Sequence, residues 1–332
     1  MRHLGIVGLI IAAALCYSVR AQALDLQRPD VANFIDEVVK RDHLDRDWVE
    51  KMLAAAELKP AIIETMKKPA EHVLQWHEYR KIFITTERIR QGHEFLAEHG
   101  AMLAEVAART GVPVEIITAI VGVETSYGRK TGRYRVLDAL ATLGFDYPAR
   151  AAFFRAELEQ FLLLAKEAGV DPLTATGSYA GAMGAPQFMP RSFRAFAQDG
   201  DHDGKIDLWT NWRDIAESVA HYFVAHGWRR GAPVYVTARL EDPDVEALPG
   251  NKLDPSFTLA ELGAKGVLFE CALPDEDKGL FIALRDLEAP RYLVGLHNFT
   301  VITKYNHSAL YALAVAQLAE ALSLPAEPVA SP

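Results

Sequence analysis

Cysteine is scarce: Cys16 and Cys271 are the only two in 332 residues, which excludes a disulfide-stapled scaffold. Positive charge is also short. Thirty-five Lys and Arg face 44 Asp and Glu, a formal net charge of −9, and this excludes a broadly basic nucleic-acid binder. No Walker phosphate loop or G-x-G-x-x-G fingerprint is present, so nucleotide chemistry has no foothold. The 11 histidines include no H-E-x-x-H pair, and His72/His77 and His221/His226 are five apart, off a shared helix face, which argues against a catalytic zinc. There is no internal repeat and no Ser/Pro-rich linker long enough to separate a second module.

What is present is the balance of a folded chain: 50% hydrophobic and 24% charged residues. The first segment is basic (Met1-Arg2-His3), then apolar from Leu4 to Val19, then Ala21-Gln22-Ala23, the small-x-small pattern of a signal peptide cleaved after residue 23. An uncleaved anchor is the alternative, although this run is short for a bilayer, which needs roughly 18 residues or more. Lipidation at Cys16 is disfavoured by the bulky Leu15 before it. Cleavage removes Arg2 and Arg20 and no acid, which takes the net charge to −11 and leaves Cys271 as the one thiol. Its apolar setting, GVLFECAL, predicts a buried and inert side chain.

Val31, Phe34, Ile35, Val38 and Val39 form one apolar helix face, and Trp48, Val49, Met52, Leu53 and Ala56 begin another. Helical patterns follow at about 86 to 110, 113 to 126, 149 to 168, 213 to 226 and 308 to 322. Between 231 and 303 the character changes to short β-rich runs, VYVTARL, VLFECAL, LFIAL and YLVGLHNFTVI, separated by turn formers. The expected fold is therefore α+β and mainly α: a helical part at 24–230, a small inserted sheet at 231–303, a closing helix at 304–323 and a frayed tail at 326–332.

One carboxylate stands out. Ile116, Ile120 and Glu124 are spaced i, i+4, i+8, which puts Glu124 on an apolar seam, and Ser126-Tyr127-Gly128 ends the helix just beyond it. Burial and the negative end of the helix dipole both disfavour the ionised form, as a general acid requires. The alternative is a glutamate that pairs with Arg129 or caps a neighbouring chain.

Two loops follow. In GSYAGAMGAPQFMP (177–190) small residues permit close backbone approach, while Ser178, Tyr179, Gln187 and Phe188 offer polar and flat apolar groups, the makings of a sugar-binding wall or of a tight structural turn. G-S-Y-A-G is not the G-x-S-x-G elbow of serine hydrolases. Further on, Asp199, Asp201, Asp203, Gly204, Ile206 and Asp207 occupy positions 1, 3, 5, 6, 8 and 9 of a twelve-residue EF-hand loop, but position 12 is Thr210, which supplies no bidentate carboxylate. Position 7 gives the backbone carbonyl of Lys205. A solvated acidic turn is the other reading.

VGVETSYGR (121–129) resembles the catalytic motif of the lytic murein transglycosylase B family, peptidoglycan-cleaving enzymes with a lysozyme-like fold. The resemblance continues through 137–165, 177–193, the aspartate loop, DIAESVAHYF (214–223) and VITKYNHSALYALAV (301–315), and so spans essentially the mature chain. It implies that Glu124 is the single catalytic acid, that Ser178, Gln187, Tyr305 and Asn306 lie around the scissile bond, that Phe188, Tyr222, Tyr311 and Tyr79 face sugar, and that Arg150 meets polar substrate groups. Family members often carry two arginines after the Tyr-Pro, whereas this chain has Ala149-Arg150, so contacts made by the first are in doubt. The resemblance further implies a variant EF-hand loop whose last carboxylate comes later. Asp214 is the candidate, joining Asp199, Asp201, Asp203 and the Lys205 carbonyl around a structural Ca²⁺, with Asp207 acting through water.

The expected activity is cleavage of the β-1,4 bond between N-acetylmuramic acid and N-acetylglucosamine, leaving a 1,6-anhydro end, with no organic cofactor. A muramidase-type hydrolase and a non-catalytic peptidoglycan-binding protein are the alternatives. The expected partner is the glycan strand of peptidoglycan and not a nucleic acid. The expected protein is a periplasmic monomer of a Gram-negative-type envelope.

Overall fold

The computed structural model describes residues 22–67, 74–242, 248 and 253–325. The apolar leader, Cys16 and the tail 326–332 lie outside them. In chain order the first half contains β1 (Gln22–Ala23), α1 (Pro29–Asp42), α2 (Arg46–Ala54), β2 (Glu57–Leu58), α3 (Pro60–Lys67), α4 (Trp76–Phe83), α5 (Thr86–Thr110) and α6 (Val114–Thr125). It continues with β3 (Tyr134–Arg135), α7 (Val136–Asp146), a 3-10 turn at Pro148–Arg150, α8 (Ala151–Glu167), β4 (Thr176–Gly177), α9 (Pro190–Phe196) and α10 (Trp212–Ala225). The remainder is β5 (Tyr235–Leu240), β6 (Phe257–Thr258), α11 (Leu259–Ala264), β7 (Val267–Phe269), β8 (Lys278–Leu284), β9 (Arg291–Gly295), α12 (His297–Tyr305) and α13 (Ala309–Ser323).

Caps written in the sequence set several of these boundaries. Thr85 begins α5 by accepting the Arg88 N–H at 3.0 Å, and Gly111 ends it in the left-handed region. Asn211 caps α10 and Ser308 caps α13 in the same way as Thr85. At the centre lies α6, buried continuously from Ile116 to Val123 and packed against α5, α10 and α13. A helix apolar on every side is stable only where neighbours surround it, so α6 organises the main core. No single helix among the described residues is long and apolar enough to cross a membrane.

The inserted sheet has five antiparallel strands in the order β6-β8-β9-β5-β7. Its alternation separates two cores. Leu280, Ile282 and Leu284 of β8 and Leu293 of β9 face the main core, while Phe281 and Val294 join Leu259, Leu262, Val267 and Leu296 in a smaller one.

Three expectations are corrected here. The string YLVGLHNFTVI is not strand throughout: β9 stops at Gly295, and residues 297–305 are helix α12 despite the β-forming Thr300, Val301 and Ile302. Tertiary contacts override propensity there. The buried Asn298 amide donates to the Arg229 and Ala232 carbonyls and its oxygen accepts the Arg229 N–H, while Phe299 and Ile302 enter the main core. The closing helix is correspondingly two helices, broken at Asn306–Ser308. Cys271 lies just past β7 and is half-buried rather than enclosed.

Candidate active site

Glu124 sits in the last turn of α6. The helix ends abruptly because Ser126 and Tyr127 both turn left-handed, at φ 51° and 59°, and return their N–H groups to the Gly122 and Val121 carbonyls at 3.1 Å each. Side chains without a glycine's freedom hold this conformation only when packing fixes them. Tyr127 supplies that packing: its hydroxyl donates to the Arg88 carbonyl at 2.9 Å, and its ring lies against Gly122, where a Cβ would come within 2.9 Å of it. The Arg88 guanidinium in turn donates to the Gly122 carbonyl, placing positive charge at the carbonyl end of α6. Thr125 donates to the Ala185 carbonyl at 2.9 Å and accepts the Gly128 N–H at 3.0 Å, which ties the end of α6 to the small-residue loop.

That loop is fastened at three successive residues. Besides the Thr125 bond to Ala185, the Tyr305 hydroxyl donates to the Pro186 carbonyl at 2.6 Å, and the Gln187 amide donates to the Thr131 and Gly184 carbonyls. Ser178 accepts the N–H groups of Ala180 and Ala182, so its hydroxyl oxygen shapes the loop's own turn.

The Glu124 carboxyl is enclosed by tyrosines. Tyr311 donates to Oε1 at 2.6 Å, and the charge of Glu124 acts on Tyr79, Tyr305 and Tyr311. Burial pushes the Glu124 carboxyl up to about 7, with the Tyr311 hydrogen bond opposing the shift. No other charged group contributes to that shift. The residue nonetheless keeps part of its side chain open to solvent. Arg129 is directed elsewhere, donating to the Ser126 carbonyl and pairing loosely with Glu94, so the alternative of a Glu124–Arg129 pair is not what the fold makes.

An aromatic wall continues from this point. Tyr305 stacks with Tyr311 at 6.4 Å, and Phe188 and Tyr222 pack against Tyr305 at 5.8 and 4.8 Å between ring centres. The Tyr222 hydroxyl is used by the Lys304 carbonyl at 2.6 Å. Phe188, Tyr222 and Tyr311 are buried, so most of each ring serves as packing and only edges remain for a ligand. Asn306 is exposed at the break between α12 and α13. Arg150 lies on the 3-10 turn with its guanidinium over the rings of Phe153 and Phe154, at 4.5 and 5.1 Å.

The aspartate loop, unlike the Glu124 site, gathers several carboxylates. One oxygen from each of Asp199, Asp201 and Asp203 lies within 4.8 Å of the others. Gly204 makes the turn at φ 88°. Asp199 accepts the Gly204 N–H at 2.9 Å, Asp203 accepts that of Lys205 at 2.8 Å, and Asn211 donates to Asp201 at 2.8 Å. Asp214 stands beneath the loop on α10, accepting N–H bonds from Gly200 and Asp207 at 2.8 Å each. It is a brace between the two arms rather than a member of the gathered trio. Asp207 is engaged by the N–H groups of Trp209 and Thr210.

Residues 26–320 match the transglycosylase SLT domain family. The chain belongs to that family. It is 40% identical over 305 residues to the membrane-bound lytic murein transglycosylase B of Escherichia coli K12, an alignment covering 89% of this chain and 83% of the relative. The soluble lytic transglycosylase SltB1 of Pseudomonas aeruginosa has a crystal structure that superposes with a TM-score of 0.86 at 48% identity, covering 89% of this chain and 98% of that one. The Escherichia coli lytic transglycosylase Slt35 in complex with calcium superposes with a TM-score of 0.82 at 38% identity, covering 93% and 97%.

Within this family member the fold brings Glu124, Tyr79, Tyr305 and Tyr311 together, extends them through Phe188 and Tyr222, and sets Ser178 and Gln187 in the adjoining loop. Sequence reasoning missed Arg88, Thr125 and Tyr127, which hold Glu124 in place without being candidates for chemistry. One signal was available: Gly122 interrupts a run of bulky apolar residues, Ile120, Val121 and Val123, and such a gap asks what fills it.

Proposed function

We propose that the chain is a lytic murein transglycosylase in which Glu124 acts first as acid and then as base. The observation that carries this reading is a carboxyl enclosed by tyrosines and held near pH 7, with no second carboxylate acting on it. Glu124 gives its proton to the glycosidic oxygen as the bond from the muramoyl C1 breaks, so the departing sugar leaves as an alcohol. The carboxylate then takes the proton of the muramoyl C6 hydroxyl while that oxygen bonds to C1, closing the 1,6-anhydro ring and restoring the acid. Because the nucleophile is tethered, no second carboxylate is required to place water, as it would be in a hydrolase. Ser178, Gln187 and Asn306 border the scissile bond, and the edges of Tyr79, Phe188, Tyr222, Tyr305 and Tyr311 meet the sugars. Arg150 meets polar groups of the substrate farther out.

Asp199, Asp201 and Asp203, with the Lys205 carbonyl, fit a hard cation with oxygen ligands, and Ca²⁺ suits this flexible set better than Mg²⁺. Its contribution is structural, fixing the loop between α9 and α10, and Asp214 supports the ligands from behind. The setting is the bacterial envelope, reached by export with cleavage after Ala23, and the partner is the glycan strand.

The test is mass spectrometry of products released from purified peptidoglycan. Products one water lighter than reducing-end muropeptides are expected from the wild type, and Glu124→Gln is expected to lose roughly 10²- to 10⁴-fold in rate. Reducing-end products would mean a hydrolase, and no products from the wild type would mean a binding protein.

A further inference from the structure

The aspartate loop and the small-residue loop meet through their backbones. The closing arm of the aspartate loop is Asp207-Leu208-Trp209, and the Leu208 carbonyl accepts the Ala185 N–H at 2.7 Å. One residue further, the Trp209 indole donates at 2.9 Å to the Thr176 carbonyl on β4, the strand from which the small-residue loop departs. The approach is close: Gly184 turns at φ 66°, and a Cβ there would strike the Leu208 carbonyl. Ala185 is held from both sides, because its own carbonyl accepts the Thr125 hydroxyl at 2.9 Å, one residue from Glu124. A single residue therefore stands between the arm and the end of α6.

The arm is also fastened to the acids. Asp214, fully buried, accepts the N–H of Gly200 where the loop begins and that of Asp207 where it closes. Asp207 shapes the arm by accepting the N–H groups of Trp209 and Thr210 at 2.7 and 3.0 Å. Leu208 is anchored in the main core, which makes the arm stiff enough to pass on a displacement. Above it the three gathered carboxylates lie within 4.8 Å of one another, and like charges at that spacing repel. Because Asp214 joins the two ends of the loop, a force that spreads the loop reaches Asp207 and then the arm. Beside the arm runs a groove of about 340 Å³, between Trp209 and the connection from α8 to β4. On that flank the indole hydrogen bond does what packing does elsewhere.

We propose that Trp209 is a positioning residue for glycan cleavage, and that through the arm it ends, neutralising the aspartate loop with a cation tightens the grip of the small-residue loop on the glycan. The cation relieves the repulsion that spreads the loop, the arm keeps its place, and Ala185 and Thr176 hold Ser178 and Gln187 where the sugar meets them. Coupling of this kind is reciprocal, so a bound glycan raises the affinity for the cation by the same factor. The inference rests on the proposed glycan site and cation loop and adds the physical link between them.

The experiment titrates Ca²⁺ calorimetrically into Glu124→Gln, which leaves strands uncut, with and without saturating glycan strands freed of peptide by an amidase. Ca²⁺ is expected to bind roughly two- to tenfold more tightly when strands are present, the range one hydrogen bond spans. Adding Trp209→Phe, which keeps a ring beside Phe193 but loses the donor, is expected to bring the two affinities together. In the cleaving protein Trp209→Phe is expected to raise KM with kcat held, as a loss of uniform binding does. Equal Ca²⁺ affinity with and without strands, in a protein that binds both, would overturn the proposal. So would a Trp209→Phe variant that lowers both affinities but keeps their ratio, since that is a general loosening of the fold. Thr125→Val is expected to cost less strand affinity in the Trp209→Phe background than alone, and strict additivity would deny that Ala185 carries the link. Failure to bind strands would sink the glycan reading, and failure to bind Ca²⁺ the cation reading, each taking the inference with it. Binding of both without linkage sinks the inference alone.

Discussion

Two regions of this protein place carboxyl groups in opposite surroundings. Glu124 is surrounded by tyrosine rings and receives one hydrogen bond, from a neutral phenol, so burial dominates and the proton stays on up to about pH 7. At the aspartate loop the acids stand at the surface, and backbone N–H groups and an asparagine amide donate to them, so Asp201 is held below the usual carboxylate range with the Asn211 bond as the main cause. The lesson is that the acid itself decides little. Packed aromatic surface favours the protonated acid, whereas a solvated turn with inward N–H groups favours the carboxylate.

The largest effect that tests this contrast is the pH dependence of stability in Glu124→Gln. A folded pKa raised from 4.5 to about 7 means that the folded state binds the proton more tightly than the unfolded chain. That advantage is fully present below about pH 4.5 and is lost as pH rises through 7, a change of roughly 3 kcal/mol. The variant does not titrate there. Its stability relative to wild type is therefore expected to increase by about that amount between pH 4.5 and 8 in urea melts. Parallel curves across this range would mean that Glu124 is not held protonated by its surroundings.

Next in size is the response of the loop to calcium. An ion at about a hundred times its dissociation constant adds roughly 2.7 kcal/mol to the state that binds it. Millimolar Ca²⁺ is expected to raise the melting temperature of wild type above its value in chelator, and Asp203→Asn to blunt the rise. Glu124→Gln is expected to respond to Ca²⁺ as wild type does, because the substitution removes no group of the aspartate loop. Identical melting with chelator and with Ca²⁺ would leave the trio an ordinary acidic turn.

The contrast also explains what could be read without coordinates. Glu124 was legible because its neighbours Ile116 and Ile120 share its own helix face, so local periodicity carried the argument. The spacing of Asp199, Asp201, Asp203 and Gly204 was legible for the same reason, being a local turn. The aromatic wall was not, since Tyr79, Phe188, Tyr222, Tyr305 and Tyr311 come from five separated segments, and only the family resemblance connected them. Residues 297–305 were misread because Thr300, Val301 and Ile302 favour strands, while the contacts that make them helical come from Arg229 and Ala232, more than sixty positions away. The resemblance implies that Asp214 is a ligand, and its bonds to the N–H groups of Gly200 and Asp207 depend on a loop closure that sequence does not display.

The smallest predicted effect concerns the one hydrogen bond that opposes the burial of Glu124. Tyr311→Phe keeps the ring and its stacking on Tyr305 but removes the hydroxyl that donates to Oε1 at 2.6 Å. That bond favours the carboxylate, so its loss moves the Glu124 pKa further above 7, by about one unit for a bond worth roughly 1.5 kcal/mol to the charged form. In the proposed mechanism cleavage requires the protonated acid, and the alkaline limb of the kcat/KM profile is therefore expected to shift to higher pH. Tyr311 itself is kept from ionising by its own burial and by Glu124, so its titration does not enter the same range. A downward shift would mean that Tyr311 stabilises the protonated acid instead, and the opposition between phenol and burial would then have to be redrawn.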